Sequence, residues 1–89
     1  MLEIVYHQDF GHGWVEVTRA KLVELGVKLG EITRYSYQSS DGATVYLEED
    51  CDAARLLREL KGKAVPFDVT EKHLDVEHHW IRNLPRFAA

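Results

Sequence analysis

A single cysteine, Cys51, stands in a chain of 89 residues, which excludes an internal disulfide. Secreted domains of this size usually need such staples, so stability must rest on packing or on a partner chain. The first residues, Met1 to His7, carry neither a basic nor a long apolar segment, and no signal peptide is expected. No apolar run approaches the roughly 20 residues that cross a bilayer, so no membrane partner is expected and the expected location is cytoplasmic. A basic excess is also missing, because formal charge is −4 with histidines neutral. Without that electrostatic footprint, nucleic acid is a poor first choice of partner. The chain has no CxxC, HExxH, HxH, G-x-G-x-x-G or calcium-loop spacing, no internal repeat and no low-complexity stretch.

What is present describes an ordinary folded globule. Hydrophobic residues make up 45% and charged residues 29%. The length is that of one domain, residues 1–89, which must commit most of its apolar side chains to one core. The negative charge is local. Between residues 41 and 60, Asp41, Glu48, Glu49, Asp50, Asp52 and Glu59 face only Arg55 and Arg58.

Periodicity predicts the elements. Leu2 to His7 alternates as a strand, and Trp14 to Val17 resumes one after the turn at Gly11-His12-Gly13. Thr18 is suited to cap a short helix that Gly26 ends, with Val27, Leu29 and Ile32 as core. Thr33–Gln38 and Ala43–Glu48 form a second hairpin around Ser39-Ser40-Asp41-Gly42. Ala53, Leu56, Leu57 and Leu60 share one face of a helix over 52–61, which Asp50 is expected to cap and Gly62 to stop. Val65 to Val69 is a further strand, with Pro66 marking an edge or a strand start. Glu71 to His79 reads as loop, and Trp80 to Phe87 as an extended tail that packs back, Pro85 barring a helix. The order β-β-α-β-β-α-β implies an α+β fold, a mainly antiparallel sheet with two helices on one face.

Three stretches together resemble an uncharacterised family of short proteins carried by bacteria, their phages and plasmids. They are Gly11-His12-Gly13-Trp14, Tyr46-Leu47-Glu48-Glu49-Asp50-Cys51-Asp52-Ala53 and Ile81-Arg82-Asn83-Leu84-Pro85-Arg86-Phe87. The resemblance implies a bacterial or mobile-element setting and supplies no catalytic residue.

The groups able to carry chemistry are few. Glu48, Glu49, Asp50 and Asp52 could meet a cation or a basic partner, or serve only a strand end and a helix start. Cys51 between them is expected to be a small buried packing residue. His12, between two glycines, pairs an acid–base side chain with a backbone that a ligand can approach, and with Cys51 it marks a possible polar site. His73, His78 and His79 lack ligand spacing, so no metal and no cofactor is expected. Tyr35, Tyr37, Arg82 and Arg86 are residue types enriched at protein interfaces.

These features favour a small non-enzymatic protein-binding domain. Its contacts would be Glu48, Glu49, Asp52, Tyr35, Tyr37, Arg82 and Arg86. The partner would be a host protein, modulated or inhibited in the manner of an anti-CRISPR protein, or a second copy in a homodimer. One alternative is a small enzyme or metal protein built on His12, Cys51 and the acids. A second is a nucleic-acid binder using Arg34, Tyr35, Tyr37, Arg82 and Arg86.

Overall fold

A computed structural model describes residues 1–89. Strands β1 (Leu2–Gln8) and β2 (Gly13–Thr18) precede helix α1 (Arg19–Glu24). Strands β3 (Tyr37–Gln38) and β4 (Thr44–Glu48) precede helix α2 (Asp52–Gly62), and strand β5 (Phe67–His73) follows. Short 3-10 turns lie at Leu29–Glu31 and Trp80–Asn83. The sheet runs β3-β4-β2-β1-β5. Every pairing is antiparallel except β1 with β5, which is parallel. The α+β fold and its element order are therefore as the sequence predicts. No helix is long and apolar enough to cross a membrane.

Strand alternation sends alternate side chains to opposite faces. On one face Ile4, Val15, Val17, Val45 and Leu47 meet Leu22 of α1 and Ala53, Leu56 and Leu60 of α2. The other face carries Trp14, Tyr37 and Tyr46, and Ile81 from the C-terminal segment closes over them. The tail thus packs back, with Ile81 and Phe87 buried. Thr18 caps α1, its hydroxyl accepting from Lys21 N–H at 3.1 Å. Gly26 takes φ +81°, the left-handed stop. Gly13 is glycine for another reason: the Tyr6 ring lies across it, and an added Cβ would fall 2.6 Å from Tyr6 Cε1.

Several local expectations are corrected. Thr33 to Ser36 is not strand, because Ser36 N–H bonds Thr33 O in a turn and the Thr33 and Ser36 hydroxyls bind the Asp52 carboxylate. Asp50 does not cap α2, whose start has no side-chain cap; Glu48 Oε2 accepts from the N–H groups of Asp50 and Cys51, the two residues before the helix. Gly62 is the last helical residue, and Ala64 makes the reversal at φ 53°. Strand β5 continues through Glu71, Lys72 and His73, held by register with Tyr6, His7 and Gln8. Trp80–Asn83 is a 3-10 turn rather than extended, since His79 Nδ1 accepts from Ile81 N–H and Pro85 lies beyond it.

Candidate functional site

The site is organised by Asp9, at the end of β1. Its side chain is fully buried and accepts five hydrogen bonds. Oδ1 takes the N–H groups of Gly11 and His12 at 3.0 and 2.9 Å, and Oδ2 takes that of His79 at 3.1 Å. Arg82 adds a two-pronged pair, Nε to Oδ2 at 2.7 Å and Nη2 to Oδ1 at 3.0 Å. That pair, with the backbone N–H groups, outweighs burial and holds the Asp9 carboxyl well below the usual carboxylate range. One carboxylate therefore fixes the β1–β2 turn and the C-terminal 3-10 turn together.

With Arg82 fixed, its neighbours follow. The guanidinium lies 5.2 Å from the centre of the Trp14 ring, and its Nη2 stands 3.0 Å from His12 Nδ1. A guanidinium only donates, so His12 Nδ1 is the acceptor and the neutral ring carries its proton on Nε2. Arg86 lies over Tyr37 at 4.5 Å, and Trp14 meets Tyr37 edge-on at 6.2 Å. These cation–aromatic stacks hold both arginines along one wall.

The β4–α2 junction contributes to the cleft that these residues line. His12, Trp14, Tyr35, Tyr37, Glu48, Asp50, Cys51, Arg82 and Arg86 together line one open cleft of about 340 Å³. The chain segments that meet there are the β1–β2 turn, β2, the approach to β3, the α2 entry and the C-terminal segment. Arginine and aromatic groups share the lining with two carboxylates and the thiol.

Of the residues singled out in the sequence, His12, Tyr35, Tyr37, Glu48, Cys51, Arg82 and Arg86 converge on this cleft. Asp52 does not. It is buried, accepting from Thr33 N–H at 3.1 Å, from Thr33 Oγ1 at 2.7 Å and from Ser36 Oγ at 2.5 Å, so it has no surface to offer a partner. Glu49 points to the opposite face, where it accepts the Tyr6 hydroxyl. Burial and this acceptor push the Tyr6 phenol well above its ordinary value. Cys51, expected inside, is exposed: as the residue before α2 it projects into the cleft rather than the core. Tyr37 is buried but Tyr35, outside the strand, is exposed.

Sequence reading missed Asp9, took Trp14 only as a strand residue and took His79 only as a weak metal candidate in a loop. Asp9 alone left a signal, since an aspartate two residues before glycine is the composition of an Asx turn. His79 is buried among His7, Trp14 and Trp80, with ring centroids 5.0–5.6 Å away. No group of three or more His, Cys, Asp or Glu side chains is placed to hold a metal ion. No protein-family model, curated protein or solved structure matches the chain.

Proposed function

We propose that this chain is a protein-binding module and that the cleft between the Arg82–Arg86 wall and the α2 entry receives a segment of its partner. The observation that carries this reading is the cleft's composition, two arginines stacked on Trp14 and Tyr37 beside an exposed Tyr35. Arginine, tryptophan and tyrosine dominate binding energy at protein interfaces. Both signs of charge line the cleft, which suits a polypeptide better than a polyanion. In the bacterial or mobile-element setting that the resemblance implies, the partner is a host protein whose activity the module modulates.

Charge mimicry by the acidic stretch is correspondingly reduced. Asp52 is used inside the fold and one Glu48 oxygen holds the turn that leads into α2, so the contact shifts from the acids to the cleft.

An enzyme using His12 and Cys51 has their shared cleft in its favour. Against it, the Nδ1 lone pair of His12 is taken by Arg82, which removes that nitrogen as a base.

The test is affinity capture of partners from a bacterial lysate by the intact chain, followed by titration calorimetry with the purified partner. Tyr35→Ala and Arg86→Glu, both at exposed positions, are expected to abolish binding, and Lys28→Glu on the distant surface to leave it unchanged. Partner binding that survives both cleft substitutions, or a wild-type chain that captures no stoichiometric partner, overturns the reading.

A further inference from the structure

Strand β5 ends the sheet with an open edge. It is seven residues long and pairs only with β1. Phe67 is half-buried and Asp68 to His73 are all exposed, with Val69 at 50%. Edge strands of this length are commonly shortened, bulged or covered, because their free N–H and C=O groups pair with another strand. Here nothing covers the edge.

The free groups can be assigned. Leu74 N–H bonds Gln8 O on β1. In a parallel ladder the residues bonded to the neighbour alternate with residues whose groups point away. Counting back from Leu74, Lys72, Thr70 and Asp68 face β1, while Phe67, Val69, Glu71 and His73 present their N–H and C=O groups outward. A second copy of β5 running antiparallel must match outward residues with outward residues, which leaves a small set of two-fold registers. Centred on Glu71, the axis sets that carboxylate against its own copy. Centred on Val69, it leaves Asp68 opposite threonine and Lys72 opposite proline. Centred on Thr70, it pairs Phe67 with His73, Val69 with Glu71, and Asp68 with Lys72 of the other copy. This last register uses the whole strand and places opposite charges together twice. Asp68 and Lys72 fall at the non-hydrogen-bonded positions, where cross-strand side chains approach most closely.

We infer that β5 is a homodimer edge: two copies join antiparallel about a two-fold axis through Thr70, making one continuous sheet across both chains. The occupant is a second copy because the strand is complementary in charge to itself. On the helix face the join continues a groove lined by Ile4, Tyr6, Ala53, Leu57 and Val69, which lies between α2 and the edge. The Arg82–Arg86 cleft lies toward the β2, β4 and β3 side of the sheet and stays open, so the dimer presents two clefts.

Sedimentation velocity of the intact chain across a dilution series tests this. The expected result is a concentration-dependent species of twice the 10.3 kDa monomer. Asp68→Lys sets lysine against lysine at both pairs and weakens association on the order of tenfold or more. Combining Asp68→Lys with Lys72→Asp restores opposite charges and with them the dimer. Circular dichroism of each variant separates lost pairing from lost fold, since both side chains are exposed. A monomer at every concentration overturns the proposal. So does a dimer indifferent to Asp68→Lys, or one that the double swap fails to restore in folded protein.

Discussion

Arg82 meets Asp9 across 73 positions of chain through two parallel N–H···O bonds, 2.7 Å from Nε and 3.0 Å from Nη2. The carboxylate is fully buried and the guanidinium is only 22% exposed. Removing one partner of such a pair leaves the other charge uncompensated, at about 3–5 kcal/mol. Asp9→Ala also strips the acceptor from the Gly11, His12 and His79 N–H groups, so its loss belongs near the top of that range. Urea unfolding measures it, and a loss below about 1 kcal/mol, the scale of an exposed pair, would contradict the burial. The acid limb carries a second signature. The folded carboxyl titrates below its unfolded value of about 3.9. Its contribution is therefore complete above that pH and is lost as pH falls through the lower folded value. Asp9→Asn removes this part of the acid transition.

A milder acid effect belongs to His79. Burial first, and then the neighbouring His7, lower its pKa; Arg82 adds to this and Asp9 opposes it. A histidine held neutral by the fold stabilises fully above its unfolded value of about 6.5, and that contribution is lost as pH falls through the lower folded value. His7, Trp14 and Trp80 pack against the ring, and Glu16 reaches His7 from the far side. Melting temperature is thus expected to drop as pH falls through and below about 6.5. His79→Asn keeps an acceptor for Ile81 N–H without a titrating ring. Its melting temperature should be lower throughout and flatter across that window. An undiminished slope in the variant would assign the effect to another group.

The difference between what could be read in the sequence and what could not follows from range. Apolar spacing places α2, and alternation places β1, β2 and β4, because those signals reside in neighbouring residues. Thr18 and Gly26 are local caps and were legible for the same reason. The side-chain partners of Asp52 and Asp9 are 16 to 73 positions away, and no pattern marks such pairs. Thr33 to Ser36 has strand composition, yet its hydroxyls satisfy a buried carboxylate and that interaction decides its shape. The cleft was legible as residue types and illegible as a place. His12, Tyr35, Cys51 and Arg86 each suggested chemistry, but only the C-terminal segment folding over the second sheet face brings them together.

Asp52 separates a fold role from a binding role. Its oxygens bond Thr33 and Ser36, and Ser36 Oγ in turn accepts from Glu48 N–H at 3.0 Å. Asp52→Ala leaves those hydroxyls and the Thr33 N–H without their acceptor in a closed site. A loss of about 2–4 kcal/mol follows from the unsatisfied donors and the broken network. Denaturant titration measures that loss. Any partner affinity, assayed well below the unfolding midpoint, should remain within about twofold of wild type, since the side chain presents no surface. A stable Asp52→Ala chain with weakened binding would reverse the assignment.

Cys51 gives the most direct access to the cleft. The thiol is free and exposed, at the residue before α2, and lines the same cavity as Arg82, Arg86 and Tyr35. A buried packing cysteine would react only after unfolding, whereas this one should titrate with a disulfide reagent, one equivalent per chain, in native buffer. Attaching a bulky maleimide there fills the cleft without touching the core, because Cys51 contributes no side-chain cap to the helix. The labelled chain should keep its circular dichroism and melting temperature and lose partner binding. Cys51→Ser, treated in the same way, should keep both. Binding that survives complete labelling means the partner docks elsewhere, and loss of fold on labelling means the thiol is packed more tightly than its exposure indicates. The β5 edge supplies an internal control, since a label in the cleft should leave self-association unaltered.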